Sequence, residues 1–553
     1  MKKFQVMAIA FSTLVTGAFA QGIDQAKKSI DAEQYEKAKS QLKAVLQSKP
    51  SDGRAAFLLG NVYLKQDQPD SAKIYFQRGT TASDGARLNH IGLGQIDLDN
   101  GNPSAAEAKF TQALKDIKKK DTEELVYVAR AYMDSDKPDY KKAISYLQRA
   151  KTANPNDAQV QLALGDAFYG DKNQNDAYAA YRSALQIDPS LIRAKVQQGV
   201  LLKGARAFTE AVKAFEAVVA SNPDYGPVYR ELAETYYLWG NNEPQKYQEY
   251  VKKALTYYEK YMSLTDYSLA SRMRHADFLI LAKDYVALEA EAQKMKQLDK
   301  VNPRILRYLG YSAYENGNTD VAVQSLEEFI NNPKSKVIAR DHMYLGLAKI
   351  RKASPADGTL DTALYEAGVA DIKKAVEMDI NLTNEMNEIG KKAYDQKQFK
   401  QAAAIFEIAV SNPNSKNYLI DNFYLGNSIY YDNNRKDVEQ PDVEALKKAD
   451  TAFGKVIEAS PTTQDAYLFR ARTNRMMSND EDMAKYYEQY LETLQQKGPE
   501  EVEKNKAKVI EAYNNIGAHY ANTDKAKARE YFNKTLALDS ANAYAQEALK
   551  SLR

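Results

Sequence analysis

Apolar residues recur along the chain with a helical spacing, and the whole pattern repeats at a fixed distance. Residues 158–189 contain two amphipathic stripes, with Leu164-Gly165 in the first, Tyr181 in the second and Pro189 at the end. The same pattern returns in residues 192–223, where every corresponding position is offset by 34. Two helical stripes within one such period predict a helix-turn-helix hairpin. Because one hairpin cannot bury its own apolar face, we expect a stack of hairpins.

The recurring positions are those at which helices meet. Gly or Ala near the middle of the first helix of each repeat (helix A) lets the second helix (helix B) approach closely, and an aromatic residue of helix B fills the space between hairpins. Proline often ends the repeat because it cannot continue a helix. Thirteen or fourteen repeats can be traced, of which the first is partial and the eighth, around 274–292, is weak. Residues 541–553 are amphipathic and predict a lone capping helix.

This spacing and these marker residues resemble the tetratricopeptide repeat (TPR), a 34-residue helical hairpin. The resemblance covers nearly all of the chain after its first residues. It implies an all-α, right-handed solenoid of about 13–14 TPR hairpins with a concave groove lined by helix A. It also implies the binding of proteins or peptides, without implying any catalytic activity.

The regularity of the repeat changes along the chain. It predicts a regular N-terminal array, a central array and a C-terminal array that carries insertions and the capping helix, at residues 21–225, 226–335 and 336–553.

Polar, turn-rich insertions interrupt three repeats between helix A and helix B, so we expect them on one rim of the solenoid. They fall near residues 240–246, 353–362 and 431–442. They are either tolerated loop growth or a partner-specific rim. A further interruption at Gln496–Pro499 is a candidate hinge.

The N-terminal residues have the features of a secretory signal peptide. Lys2 and Lys3 precede a mostly apolar stretch, and Ala18-Phe19-Ala20 forms a small-x-small cleavage site before Gln21. The alternative is an uncleaved anchor, but the apolar stretch is shorter than the ~20 residues that a spanning helix needs. No later segment is apolar enough to span. We therefore expect residues 1–20 to be removed and the protein to be periplasmic, with any outer-membrane association made through a partner.

Charge and cysteine content exclude several classes of function. The 76 Lys and Arg nearly cancel the 74 Asp and Glu, and a net charge of +2 gives no reason to expect nucleic acid or a membrane surface as partner. The chain has no cysteine, so disulfides, thiolate metal sites, a cysteine nucleophile and lipid attachment through cysteine are excluded.

No constellation of residues predicts catalysis or metal binding. The four histidines lie far apart, without the spacing of a zinc site. Two segments, beginning at Asp97 and Asp171, resemble the start of a calcium-binding loop. The first has its glycine one place early, and the second lacks the glycine and has Arg182 where the bidentate glutamate belongs. Both coincide with the turn between helices A and B. We therefore predict no metal, no cofactor and no enzymatic activity.

Tyrosine is unusually frequent, with 39 residues against 17 Phe. Most occupy core positions, but the helix A positions that line the groove in TPR proteins carry arginines interleaved with tyrosines in the sixth to tenth repeats. These candidate binding residues are Arg193, Arg230, Tyr237, Arg272, Arg304, Arg307, Tyr311, Tyr314 and Arg340. Forked guanidinium donors suit an acidic or C-terminal carboxylate-bearing segment. The alternative is a solvated face on which neighbouring residues balance the charges.

The sequence thus favours a non-enzymatic scaffold of the bacterial cell envelope. It would bind envelope or outer-membrane proteins or peptides in its groove. The alternative is a glycan- or peptidoglycan-binding envelope protein, which the single Trp and the absence of a lipidation cysteine weaken.

Overall fold

The computed structural model describes residues 21–266, 268–299, 302–354 and 359–552, and the predicted signal peptide lies outside this range. These residues are almost entirely helices and turns, and their one β-type contact is an isolated bridge between Asp52 and Asp84. The predicted all-α class is confirmed. The chain divides into two compact units, Met1–Asp299 (unit 1) and Lys300–Arg553 (unit 2).

Unit 1 contains sixteen helices among its described residues. They are α1 (21–31), α2 (Tyr35–Ser48), α3 (Gly53–Lys65), α4 (Pro69–Gly79), α5 (Ala86–Asp99), α6 (Pro103–Leu114), α7 (Glu123–Asp134), α8 (Tyr140–Ala153), α9 (Ala158–Gly170), α10 (Gln174–Ile187), α11 (Ile192–Gly204), α12 (Phe208–Ser221), α13 (Gly226–Asn242), α14 (Tyr247–Leu264), α15 (Leu269–Ala282) and α16 (Tyr285–Leu298).

Unit 2 contains fourteen helices in the part of it that the structure describes. They are α17 (Arg304–Glu315), α18 (Thr319–Asn331), α19 (Ala339–Ala353), α20 (Thr362–Met378), α21 (Thr383–Asp395), α22 (Phe399–Ala409), α23 (Tyr418–Asn433), α24 (Val443–Ala459), α25 (Gln464–Met476), α26 (Asp480–Lys497), α27 (Pro499–Lys504), α28 (Lys506–Tyr520), α29 (Lys525–Leu538) and α30 (Ala543–Ser551).

The helices pair into hairpins in chain order. Helices α1–α16 form eight repeats, α17–α26 form five, and α28 with α29 forms another, in agreement with the predicted 13–14. The first repeat is complete, because α1 supplies the helix A that the sequence pattern left unassigned. The predicted capping helix is α30, and the short helix α27 stands at the predicted interruption between the last two repeats.

Close contact between glycine and an aromatic ring joins helix A to helix B in most repeats. Gly165 lies against Tyr181 and Gly199 against Phe215, in each case sixteen residues further along the chain. A Cβ atom at Gly199 would overlap the Phe215 ring, which is completely buried. The glycine that marks the repeat in the sequence is therefore required by packing.

The turn between helix A and helix B uses a left-handed backbone residue at the repeat spacing. Glu33, Asp67 and Gly101 have φ of 58°, 56° and 75° and are 34 residues apart. This conformation ends an α-helix sharply. The two segments that resemble calcium loops form turns of this kind, after α5 and after α9, as predicted.

The insertions lie between helix A and helix B, as the sequence predicted. The first forms a 3-10 turn at Pro244–Lys246, the third follows α23, and residues 355–358 of the second lie outside the described range. The predicted division into three arrays by regularity stays a prediction, because the two compact units reflect contacts and not sequence regularity.

Candidate protein-binding groove

Unit 1 contains a groove of about 2260 Å³. Side chains from seven consecutive A helices line it, from α1 to α13. Pockets for small molecules usually measure about 300–1000 Å³, so this groove has the size for a polypeptide segment.

The lining of each helix follows its periodicity. The residues of α7 that line the groove include Glu123, Val126, Tyr127, Arg130 and Asp134, which recur every three or four residues. Residues three and four apart share one face of a helix, so a single stripe of each A helix faces the groove. The stripe mixes apolar and charged side chains, as a peptide-binding surface requires.

The first repeat of unit 1 contacts its seventh, so the array returns onto itself. Arg230 of α13 donates to the Glu33 carboxylate at 2.7 and 2.8 Å, and the Tyr261 hydroxyl of α14 donates to Glu33 at 2.7 Å. The Glu36 backbone N–H donates to the Asp266 carboxylate at 2.6 Å, and the Asp266 N–H donates to the Glu33 carbonyl at 3.3 Å. We call these interactions of residues 31–36 with residues 225–266 the closure contact.

Further polar groups belong to the closure contact. The Gln34 side chain donates to the Leu264 carbonyl at 3.3 Å, and the Tyr225 hydroxyl donates to Asp31 at 3.3 Å. Burial alone would lower the pKa of Arg230, but Glu33, Tyr261 and Glu231 together more than offset this, and the pKa is raised. Arg230 therefore stays charged, and the contact holds the groove in shape.

Two of the predicted binding residues, Arg193 and Arg230, line the groove. Arg193 donates to Asp166 at 2.7 Å, and this carboxylate raises its pKa. Arg230 is held by Glu33. The alternative interpretation, in which neighbours balance these charges, describes both residues.

The other two predicted residues of unit 1 do not line the groove. The Tyr237 ring packs edge-on against Phe278, at 6.0 Å between centroids, and the Arg274 guanidinium lies 5.2 Å from its centroid. Arg272 donates to Glu291 at 2.8 and 3.0 Å, and Glu291 is only 4% exposed.

The remaining predicted residues belong to unit 2, where Arg307 and Tyr311 share one buried carboxylate. Arg307 donates to both oxygens of Asp341, at 2.7 and 2.8 Å, and the Tyr311 hydroxyl donates to the same group at 2.8 Å. Because Asp341 is completely buried, these hydrogen bonds give Arg307 and Tyr311 a structural role in unit 2.

Arg340 donates to Glu385 at 2.5 Å, and Arg304 lies 5.6 Å from the centre of the Tyr308 ring. The Tyr314 ring is 3.8 Å from the Arg351 guanidinium. The predicted arginine-tyrosine set is thus distributed over both units, and its capture of a partner stays a prediction.

Sequence reasoning missed the residues of α1 and the turn that follows it. Asp31 and Glu33 line the groove and make the closure contact, whereas the sequence pattern predicts only a partial first repeat. The signal that could have found them is the repeat spacing, because Glu33 stands 34 residues before Asp67.

The described residues show no centre for metal binding and no helix that could cross a membrane. They contain no group of three His, Asp or Glu side chains placed to hold a metal ion. None of their helices combines the length and the apolar character that a membrane span needs. His342 lies 3.3 Å from Asp371 and is 4% exposed, as expected of a structural histidine.

Comparison with known proteins supports the repeat assignment. Models described as tetratricopeptide repeat match residues 29–88, 129–192 and 306–335. The chain therefore contains tetratricopeptide repeats in both units. No curated protein matches the sequence.

Two of three solved structures that are similar to this chain are described as TPR proteins. The C-terminal part of a TPR repeat-containing protein from Cytophaga hutchinsonii is 26% identical, with a TM-score of 0.31, over 50% of this chain and 98% of that one. A thermophilic TPR protein of Thermus thermophilus is 20% identical, with a TM-score of 0.29, over 35% and 99%. PilF of Pseudomonas aeruginosa is 17% identical, with a TM-score of 0.24, over 38% and 93%.

Proposed function

We propose that this protein is a non-enzymatic interaction scaffold of the bacterial cell envelope that holds a polypeptide segment of a partner in the groove of unit 1. The observation that carries the proposal is the groove of about 2260 Å³, lined by seven successive A helices. TPR arrays bind proteins in grooves of this kind, which supports a protein as the ligand.

The lining supports a polypeptide because it offers both apolar contact and polar groups. Tyr127 and Tyr169 present aromatic surface to the groove, and Tyr169 is 39% exposed. Asn61, Gln95 and Gln197 add side-chain amides that can bond a peptide backbone. Because the closure contact fixes the shape of the groove before binding, the scaffold loses little conformational entropy when the segment binds.

Export is supported by the signal-like residues 1–20. We expect the native protein in the periplasmic fraction, with the mass of a chain whose first residue is Gln21. Intact-mass measurement after cell fractionation tests this, and an uncleaved chain in the cytosolic fraction would refute export while leaving the groove unaffected.

Site-specific photocrosslinking tests groove binding. A photoreactive phenylalanine analogue is placed in native cells at Gln197, which lines the groove, or at Gln77, which is exposed on the helix B surface of α4. We expect adducts at Gln197 in which mass spectrometry finds peptides of a second protein, and no adducts at Gln77. Adducts that carry sugar and no second protein, and that glycosidases remove, would favour the glycan-binding alternative, and equal crosslinking at both positions would exclude a specific groove.

A further inference from the structure

We propose that the groove of unit 1 selects a partner segment rich in lysine and arginine. This inference rests on the proposed function, and it names the chemistry of the ligand. It also differs from the sequence-based hypothesis of an acidic segment, because the two predicted arginines of the groove, Arg193 and Arg230, are already paired with carboxylates of the protein.

The charged lining of the groove is predominantly acidic. Eight lining side chains are basic, namely Lys27, Lys28, Lys37, Lys65, Arg130, Arg193, Lys203 and Arg230. Twelve are carboxylates, namely Asp24, Asp31, Glu33, Asp67, Asp99, Glu123, Asp134, Asp136, Asp157, Asp166, Asp224 and Glu231.

Half of the basic lining side chains are neutralised by ion pairs with lining carboxylates. The pairs formed within the lining are Lys65–Asp134, Arg193–Asp166, Lys203–Glu231 and Arg230–Glu33. A fifth carboxylate, Glu123, pairs with Arg54, which does not line the groove. Among the described residues, seven lining carboxylates and four basic side chains then remain outside ion pairs.

The remaining carboxylates are concentrated at one edge. Asp31, Asp67, Asp99 and Asp136 lie at or just beyond the C-terminal ends of α1, α3, α5 and α7, and we call them the acidic edge. The C-terminal end of a helix carries partial negative charge, so four successive helix ends reinforce the carboxylates. A cation placed along this edge is stabilised by the carboxylates and by the C-terminal ends of the helices.

Among the carboxylates of the acidic edge, Asp99 shows most clearly the lack of a neighbouring positive charge. It is half-buried, and its carboxylate accepts the backbone N–H of Asp136 at 3.1 Å. The charged groups that act on it are the acids Asp134 and Asp136, and desolvation together with these charges raises the pKa of Asp99. A lysine or arginine of the ligand would supply the missing positive charge.

An acidic ligand would meet the opposite situation. Arg193 and Arg230 already donate to Asp166 and Glu33 at 2.7 Å, so among the described residues four basic lining side chains, Lys27, Lys28, Lys37 and Arg130, remain against seven unpaired carboxylates. An acidic ligand would also bring its own charge against the acidic edge.

Selection from a library of phage-displayed random dodecapeptides on the full chain tests the inference. Gln197→Trp fills the groove, and Gln77→Trp is the matched control on the helix B surface. We expect enriched peptides with net positive charge that bind the wild type and Gln77→Trp but not Gln197→Trp. Their affinity should fall at least tenfold from 50 to 300 mM salt, because screening weakens exposed charge pairs.

The acidic edge is then tested with the enriched peptides. The triple variant Asp67→Asn, Asp99→Asn, Asp136→Asn should weaken binding at least tenfold. The control triple variant Asp70→Asn, Glu210→Gln, Glu216→Gln removes three exposed carboxylates outside the groove and should change binding less than twofold. Asparagine is tolerated at position 67, where φ is 56°.

The outcomes separate the two proposals. Enrichment of neutral or acidic peptides that Gln197→Trp still blocks would overturn the charge inference and leave groove binding in place. Basic peptides that bind the Asn triple variant as well as the wild type would also overturn it. Peptides that bind regardless of Gln197→Trp, or no enrichment at all, would overturn the groove function and with it the inference.

Discussion

At the residue scale, two buried aspartates at equivalent positions of two repeats in unit 2 differ in the charge of their hydrogen-bond donor. Asp341 and Asp421 each lie in the first turn of a helix A and are completely buried. The residue 34 positions earlier is Arg307 in the first case and Asn387 in the second, and both donate to the carboxylate. Asp421 therefore has a hydrogen bond but no cation, and its Oδ2 has no hydrogen-bond partner among the described residues.

Burial raises the pKa of Asp421 above its usual value, which predicts a pH-dependent penalty. An acid whose folded-state pKa is raised favours folding at low pH and loses that contribution as pH rises through the folded pKa. We expect Asp421→Asn to raise the free energy of unfolding at pH 7 by about 1–3 kcal/mol, with a gain that shrinks toward pH 4. Denaturant titrations at several pH values measure this.

The matched control is the same substitution at the paired site. Asp341→Asn leaves Arg307 without its carboxylate, and we expect a loss of about 3–5 kcal/mol at pH 7. If both asparagine variants are destabilised equally, the contrast between the two sites is wrong.

The glycine of helix A gives a second residue-scale prediction. Gly199→Ala forces a Cβ into the Phe215 ring, and we expect it to destabilise by about 1–3 kcal/mol. Gly204 of the same helix has nothing closer than Gln174 Nε2 at 3.9 Å, so Gly204→Ala should be neutral or stabilise by up to about 1 kcal/mol. Thermal unfolding of both variants checks this, and equal losses would contradict the packing role.

At the element scale, the sequence predicts hairpins well because each one is determined locally. The glycine of helix A and the aromatic residue of helix B are sixteen residues apart and in direct contact, so their pattern reports the fold. The ion pairs are different. Glu33 and Arg230 are 197 residues apart, and only the curvature accumulated over seven repeats brings them together. The sequence could therefore place Arg230 on the groove face but could not identify its partner.

The last helix, α30, covers the end of unit 2. Phe532 of α29 is 1% exposed and belongs to the same small core as Ala545 and Leu552. A chain that ends at Ser540 should expose this ring, at a cost of about 1.5–3 kcal/mol. We expect faster hydrogen exchange in α28 and α29, whereas Glu547→Ala, at an exposed site, should leave exchange unchanged. Unchanged exchange in the shortened chain would show that α30 is not a cap.

At the scale of unit 1, the closure contact joins the first repeat of the array to the seventh. Glu33 is its centre, because Arg230 and the Tyr261 hydroxyl both bind its carboxylate. The ion pair is partly exposed, so we expect Glu33→Ala to destabilise unit 1 by about 1–3 kcal/mol, between the values for surface and buried pairs. Glu36→Ala, which removes an exposed carboxylate that pairs with Lys39, should cost less than about 1 kcal/mol. Denaturant unfolding of the full chain compares them, and equal costs would contradict the central position of Glu33.

The return of the array onto itself is tested most directly by a distance measurement across the closure contact. The chain has no cysteine, so Lys37→Cys and Lys260→Cys introduce two exposed sites for spin labels without background. Double electron-electron resonance on the full chain should give one short, narrow distance distribution, which becomes longer and broader when Glu33→Ala is added. A broad, long distribution in the otherwise unaltered chain, or one that Glu33→Ala does not change, would contradict the closure.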